Sequence, residues 1–163
     1  MKFDNEFVEI RGSSIHNKGI FAKKDIPKDT EIIEYVGKKI TKKESDKIFE
    51  KQYEKGETGE EGHVYIFELN KKYDIDGNVD WNPARFINHS CNPNCESINI
   101  DGHIWIQSIK NIKKGEELSY DYSYDIDSYE DHPCKCGSEN CVGYIVNKEK
   151  WPELKKRLAE RKE

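Results

Sequence analysis

The sequence contains no run approaching the roughly 20 consecutive apolar residues that cross a bilayer. Its opening, Met1-Lys2-Phe3-Asp4-Asn5-Glu6, has no apolar stretch resembling a secretory leader. The expectation is a soluble, intracellular protein without membrane attachment, in a reducing compartment. A basic excess is also lacking: 27 Lys and Arg stand against 32 Asp and Glu, for a net charge of −5. That disfavours direct nucleic-acid binding, which usually needs a basic face, and suits a basic partner such as a lysine-rich peptide. No β-α-β alternation and no glycine-rich phosphate loop occurs, which argues against a Rossmann-type architecture. No Ser-His-Asp set or pair of catalytic carboxylates stands out either. Apolar residues are scarce at 34%, against 36% charged. Three Trp, nine Tyr and six Phe nevertheless supply anchors that a disordered acidic chain would not have. At 163 residues the chain is one domain's worth, globular, with a lean core.

The five cysteines are an odd number in two groups, unlike a disulfide framework, and in a reducing setting such clusters more often bind metal. Cys134, Cys136 and Cys141 form C-x-C-x4-C, so three soft sulfurs can converge on one Zn²⁺, with a fourth ligand still required for a closed site. Cys91 and Cys95 lie in the stretch from Arg85 to Cys95, R-F-I-N-H-S-C-N-P-N-C. Asn82-Pro83 precedes it and Asn92-Pro93 interrupts it, so the backbone is extended or turning at both points. Taken alone, such a polar segment would be an ordinary surface loop.

Along the chain, many short strands alternate with long irregular connections and two helices. Phe7–Arg11 and the run ending at Ala22 read as a hairpin about Asn17-Lys18-Gly19. Thr30–Val36 is a strand ended by Gly37, and Thr41-Lys42-Lys43-Glu44 is a capping box. The helix it opens carries an apolar stripe of Ile48, Phe49 and Tyr53 and ends near Gly56, with a mobile Gly- and Glu-rich loop over 54–62. His63–Leu69 is a strand; Asp101-Gly102 closes a hairpin between Glu96–Ile100 and His103–Ile109. A strand over Glu116–Tyr124 would place Tyr120, Tyr122 and Tyr124 on one face. Three phenols buried together need hydrogen-bond partners, which sits poorly with a purely apolar role. Trp151–Arg161 is a closing helix with Trp151, Leu154 and Leu158 on one face. The pattern K-x-I-x-K-x-x-E of Lys24–Glu31 returns at Lys110–Glu117, a repeated strand–turn idiom.

The stretch Arg85–Cys95, with C-x-C-x4-C and the run Ser119-Tyr120-Asp121-Tyr122, resembles the signature of SET-domain protein lysine methyltransferases with a post-SET zinc motif, from about Val8 to Ile145. The resemblance implies a mainly β fold of the β-clip, SET type, with several small twisted sheets, few short helices and a threaded pseudoknot at the active site. It implies a SET domain over 1–124 with a variable insert at about 41–62, a post-SET zinc-binding segment over 125–147 and a C-terminal helix over 148–163. Its cofactor would be S-adenosyl-L-methionine, held by His16, Lys18, Gly19, Tyr65, Asn88, His89 and Lys135. Zn²⁺ would be held by Cys91, Cys134, Cys136 and Cys141, leaving Cys95 apart, with His132 as a substitute ligand. Tyr122 would be the catalytic tyrosine, Tyr65 would line the lysine channel, and Tyr120 would limit the product to monomethyllysine. The implied substrate is a lysine-containing basic protein or peptide such as a histone tail. Two other readings are an inactive SET-like peptide-binding module and a zinc-stabilised interaction domain of another fold.

Overall fold

The computed structural model of the chain describes residues 3–57 and 64–162, without the side chains of 52–57. It is a mainly β protein: ten strands of two to six residues in four small sheets, and two α-helices, among the described residues. The strands are β1 (Val8–Gly12), β2 (Lys18–Ala22), β3 (Glu31–Tyr35), β4 (Lys38–Thr41), β5 (Ile66–Glu68), β6 (Tyr73–Asp76), β7 (Asn88–His89), β8 (Cys95–Ile100), β9 (His103–Ser108) and β10 (Ser119–Tyr120). The helices are α1 (Lys42–Glu57) and α2 (Trp151–Glu160). Neither is long and apolar enough to cross a membrane.

β9 shows how the pattern makes the core. Ile104, Ile106 and Ser108 alternate inward at 4%, 0% and 0% exposure, while β3 and β8 pair antiparallel on either side. The β8–β9 turn is the expected Asp101-Gly102, with φ of 50° and 85°, the left-handed pair that the strand twist demands and that glycine adopts without strain. Ile20, Ile26, Ile87, Ile112 and Leu118 complete the main core. The two copies of K-x-I-x-K-x-x-E meet there: Ile26 and Ile112 form an antiparallel bridge, each N–H donating to the other's carbonyl at 2.8 Å. The repeated idiom is thus a self-complementary pair that clamps the two strand entrances together.

β4, β6 and β5 form a second sheet that carries α1. The capping box is present, Thr41 N–H donating to Glu44 Oε2 at 2.7 Å and Glu44 N–H to Thr41 Oγ1 at 3.3 Å. The expected apolar stripe is only partly inward, because Phe49 is 43% exposed and Ile48 half-buried. Ser45 is the buried residue among the described side chains of α1, donating to Asp74 Oδ2 on β6, and Lys42 pairs with the same carboxylate. A polar staple therefore docks the helix. Helix persists through 54–57, where a loop was expected, and 58–63 lie outside the described residues.

Two strand expectations shrink. In the tyrosine segment only Ser119–Tyr120 pairs, because Ser123 turns into the left-handed region with φ 53° and a 3₁₀ turn follows at Ile126–Asp131. Of His63–Leu69, only β5 is strand among the described residues, and Tyr65 lies just before it. A second small core of Ile126, Tyr129, Val146 and Leu154 joins α2 to the cysteine-bearing segment.

Candidate active site

The stretch Arg85–Cys95 is not a surface loop. A 3₁₀ turn at Pro83–Phe86 leads into Ile87 to Cys91, all buried, and β7 pairs in parallel with β10. Parallel pairing of two residues from segments so far apart in sequence cannot be read from local periodicity. Side chains lock the crossing: Asn94 Nδ2 donates to Glu117 O at 2.8 Å, and Ser119 N–H to Asn94 Oδ1 at 2.9 Å. Arg85 buttresses from outside, with Nη2 3.4 Å from Asp80 Oδ1 and its guanidinium 5.0 Å from the Phe86 ring.

Asn88 is 8% exposed. Its Nδ2 donates to Glu117 Oε1 at 2.8 Å and to the Lys18 carbonyl at 3.0 Å. The nitrogen is thereby committed, and what the amide offers a ligand is its oxygen, an acceptor. Gly19 lies alongside. A Cβ there would stand 2.3 Å from Glu117 Oε1, so any larger residue would displace that carboxylate. Lys18 is exposed, with Nζ 5.2 Å from the Phe86 ring, and His16 is half-buried in the connection before β2. Acceptors and main chain of this kind fit a ligand carrying an ammonium group.

His89 is 4% exposed, and burial depresses its pKa to about 4, against the opposing pull of Asp121, so the ring is neutral near pH 7. Nδ1 accepts the Tyr122 N–H at 3.1 Å, which puts the ring proton on Nε2, 3.7 Å from Cys91 Sγ. Tyr122 donates its hydroxyl to the Ile87 carbonyl at 2.8 Å. Its ring stands 5.0 Å from Tyr120, 5.5 Å from Tyr124 and 5.4 Å from His89. Tyr120 is 8% exposed and meets Phe67 at 5.6 Å. Tyr35 donates to the Tyr65 carbonyl at 3.0 Å and packs on Phe67 at 4.4 Å. Burial raises the pKa of Tyr35, Tyr65, Tyr120, Tyr122 and Tyr124, so the whole cluster is neutral phenol and none of it can serve as a phenolate base. The three tyrosines do share one face, although only one of them is in a strand.

The sulfurs of Cys91, Cys134, Cys136 and Cys141 all lie within 4.8 Å of one another. Cys91 Sγ is 3.8 Å from that of Cys134 and 3.9 Å from that of Cys141. Four thiolates about 2.3 Å from one ion in a tetrahedron stand about 3.8 Å apart, so this donor set fits Zn²⁺ closely. The Asn140 amide donates to the Cys91 carbonyl at 3.1 Å, and the Pro133–Tyr144 bridge closes the loop that carries the other three. Lys135, between two of them, is exposed. Cys95 stands apart in β8, 1% exposed, its thiol pushed up to about 12 by burial. His132 packs against Tyr124 at 4.6 Å and is no part of the sulfur cluster.

Sequence reasoning missed Ser13, Glu117, Tyr35, Phe67 and Asn94. Glu117 was visible as the last position of the repeated idiom, but nothing in that pattern says that its carboxylate reaches Gly19.

The family model for the SET domain matches residues 17–123. The Histone-lysine N-methyltransferase trr of Drosophila melanogaster is 43% identical over 140 residues, covering 82% of this chain and 6% of that protein. A "Histone-lysine N-methyltransferase, H3 lysine-4 specific" from Aspergillus oryzae is 40% identical over 144 residues, covering 85% of this chain and 11% of that one. Histone-lysine N-methyltransferase 2D of Homo sapiens is 42% identical over 139 residues, 82% of this chain and 2% of the relative. The chain therefore spans only a small part of the curated relatives it matches.

Proposed function

This chain belongs to the SET-domain family, and on that premise we propose that it transfers a methyl group from S-adenosylmethionine to a lysine side chain of a basic protein, a histone tail being the substrate class its relatives' names point to. The observation that carries the reading is Tyr122, fixed at three points. Its hydroxyl proton is spent on Ile87 O, its N–H on His89 Nδ1, and its ring is wedged between Tyr120 and Tyr124. A phenol so fixed presents lone pairs to its surroundings, which suits an amine N–H held for in-line attack.

The chemistry demanded of the protein is modest. A lysine ammonium, with an ordinary pKa of about 10.4, cannot attack until it loses a proton. S-adenosylmethionine supplies an electrophilic methyl group on a positively charged sulfur. The neutral aromatic wall desolvates the ammonium and lowers its pKa, and the proton leaves to solvent, since none of the five phenols is ionised. Tyr122 and Tyr65 then hold the amine, and positioning of this kind is worth several kcal/mol, on the order of the larger intramolecular effects. His16, Lys18, Gly19, Tyr65, Asn88, His89 and Lys135 are the residues we assign to the cofactor. To the hydroxyl of Tyr120, whose buried ring packs on Phe67, we assign the crowding out of extra methyl groups, so monomethyllysine is the expected main product. Zn²⁺ on Cys91, Cys134, Cys136 and Cys141 ties the C-terminal segment to the central stretch.

The test is titration of the metal-loaded protein with S-adenosylmethionine, then mass spectrometry of histones and other basic proteins incubated with both. Binding and a mass gain of one methyl group on lysine are expected. A metal-loaded protein that does not bind S-adenosylmethionine would overturn the proposal.

A further inference from the structure

We propose that Glu117 is a positioning residue for the cofactor site, acting through Asn88 and the Ser13–Gly19 connection; the proposal rests on the S-adenosylmethionine reading above. Glu117 sits where the chain enters β10, and its backbone bridges to Phe21 of β2. The residue is half-buried. Oε1 accepts the Ser13 hydroxyl at 2.7 Å and Asn88 Nδ2 at 2.8 Å, and the same hydroxyl lies 3.0 Å from Oε2. Ser13 Oγ in turn accepts the Ile15 N–H at 3.0 Å, so the carboxylate shapes the loop as well as the amide.

Three consequences follow from the geometry. Asn88 is held with its nitrogen inward, shared between Glu117 and the Lys18 carbonyl, and its oxygen is presented as the acceptor. A flipped amide would set Oδ1 against a carboxylate oxygen and a carbonyl, two acceptors, so the carboxylate selects one rotamer. The Lys18 carbonyl is drawn to Asn88, which fixes where the main chain of Lys18 and Gly19 runs. Gly19 is bare because Glu117 occupies the space: a Cβ would lie 2.3 Å from Oε1, 2.9 Å from Cδ and 3.0 Å from Ser13 Cβ. The glycine that the family resemblance assigns to the cofactor also leaves room for this side chain.

Each claim predicts a distinct outcome. In Glu117→Ala, Asn88 loses its orienting acceptor, and titration should show S-adenosylmethionine binding weakened about ten-fold or more, as when a charged hydrogen-bond partner is removed. Because Glu117 touches no reacting atom, kcat at saturating cofactor should stay within about three-fold of the parent, the mark of lost ground-state binding alone. Glu117→Gln keeps an acceptor oxygen for Asn88 and should restore most of the affinity, and Ser13→Ala should give a smaller loss in the same direction. Gly19→Ala should weaken binding by pushing the carboxylate aside. Added to Glu117→Ala it should cost far less than it does alone, since only the 3.0 Å approach to Ser13 Cβ remains, a departure from additivity larger than about two-fold. The inference fails if Glu117→Ala binds like the parent, or if the Gly19→Ala and Glu117→Ala losses simply add. Failure of the parent protein to bind at all would instead strike the functional proposal, so the two are told apart by the first titration.

Discussion

Replacing Tyr122 by Phe removes one oxygen and little else. The ring keeps its contacts with Tyr120, Tyr124 and His89, and the backbone N–H still reaches His89 Nδ1. What is lost is the 2.8 Å bond to the Ile87 carbonyl, on a residue 1% exposed, together with the lone pairs we assign to the substrate amine. Leaving a buried carbonyl unpaired costs about 1–3 kcal/mol. In a chain of this size that corresponds to roughly 2–4 °C in Tm per kcal/mol, a moderate drop readable by calorimetry. The effect on turnover should be far larger. An amine that drifts by about 1 Å from in-line geometry loses on the order of 10²-fold in rate. The predicted signature is therefore a split: S-adenosylmethionine affinity near that of the parent, a lowered Tm, and kcat down by about 10²-fold or more. Single-turnover methyl transfer with saturating cofactor and peptide measures it. A kcat within about three-fold of the parent would refute the reasoning, because the hydroxyl would then serve only the Ile87 carbonyl.

Tyr120→Phe should raise the share of di- and trimethyllysine in mass spectra if its hydroxyl has the crowding role we assign to it; an unchanged product ratio would contradict that role. Chelation of the metal should free 134–141 while α2 stays docked, because Ile126, Tyr129, Val146 and Leu154 form a core of their own. Amide exchange checks this, with protection expected at Val146 and Leu154. Leu154→Ala, at a cost of about 2–5 kcal/mol, should release the whole tail once the metal is gone. The Glu44 carboxyl is held below the usual carboxylate range by the Thr41 N–H and hydroxyl. Its support of the first turn of α1 should be complete above its unfolded value of about 4.3 and vanish as pH falls through the lower folded one. Local exchange rates in α1 should show that step, and Glu44→Gln should abolish it.

Much of the fold was legible because it rests on local rules. Asp101-Gly102 demands a hairpin, Thr41 with Glu44 a helix start, and the period-two pattern of β9 one buried face. The sulfur cluster was legible as chemistry, though Cys91 joined it on family resemblance alone and only coordinates bring the four together. The illegible parts are all non-local. Ser123 bends the tyrosine segment out of the strand that alternation implied, yet the rings still stack because each packs on the next. Phe49 lies exposed on α1 because a buried Ser45–Asp74 contact, invisible to any hydrophobic pattern, sets which side of the helix faces the sheet. Glu117 could be seen in the sequence as the last position of a repeat, but its carboxylate bonds to Ser13 and Asn88, from different parts of the chain.

His89 links the four-cysteine cluster to the aromatic site. Its buried ring is neutral, and because Nδ1 must accept the Tyr122 N–H, the proton resides on Nε2 and points toward Cys91 Sγ. A metal-bound thiolate is a far better acceptor for that proton than a neutral thiol, whose own hydrogen would have to turn away. Loading the metal should therefore tighten the His89 ring, and through Nδ1 the backbone of Tyr122, the residue we assign to the reacting amine. Substituting His89 by Ala, which removes both the Nδ1 acceptor and the Nε2 donor, should then uncouple the two. Metal content would stay near stoichiometric, since all four thiols remain, while kcat would fall with the loss of the Tyr122 anchor. Loss of metal and kcat together, in fixed proportion, would instead make His89 a support of the metal site alone.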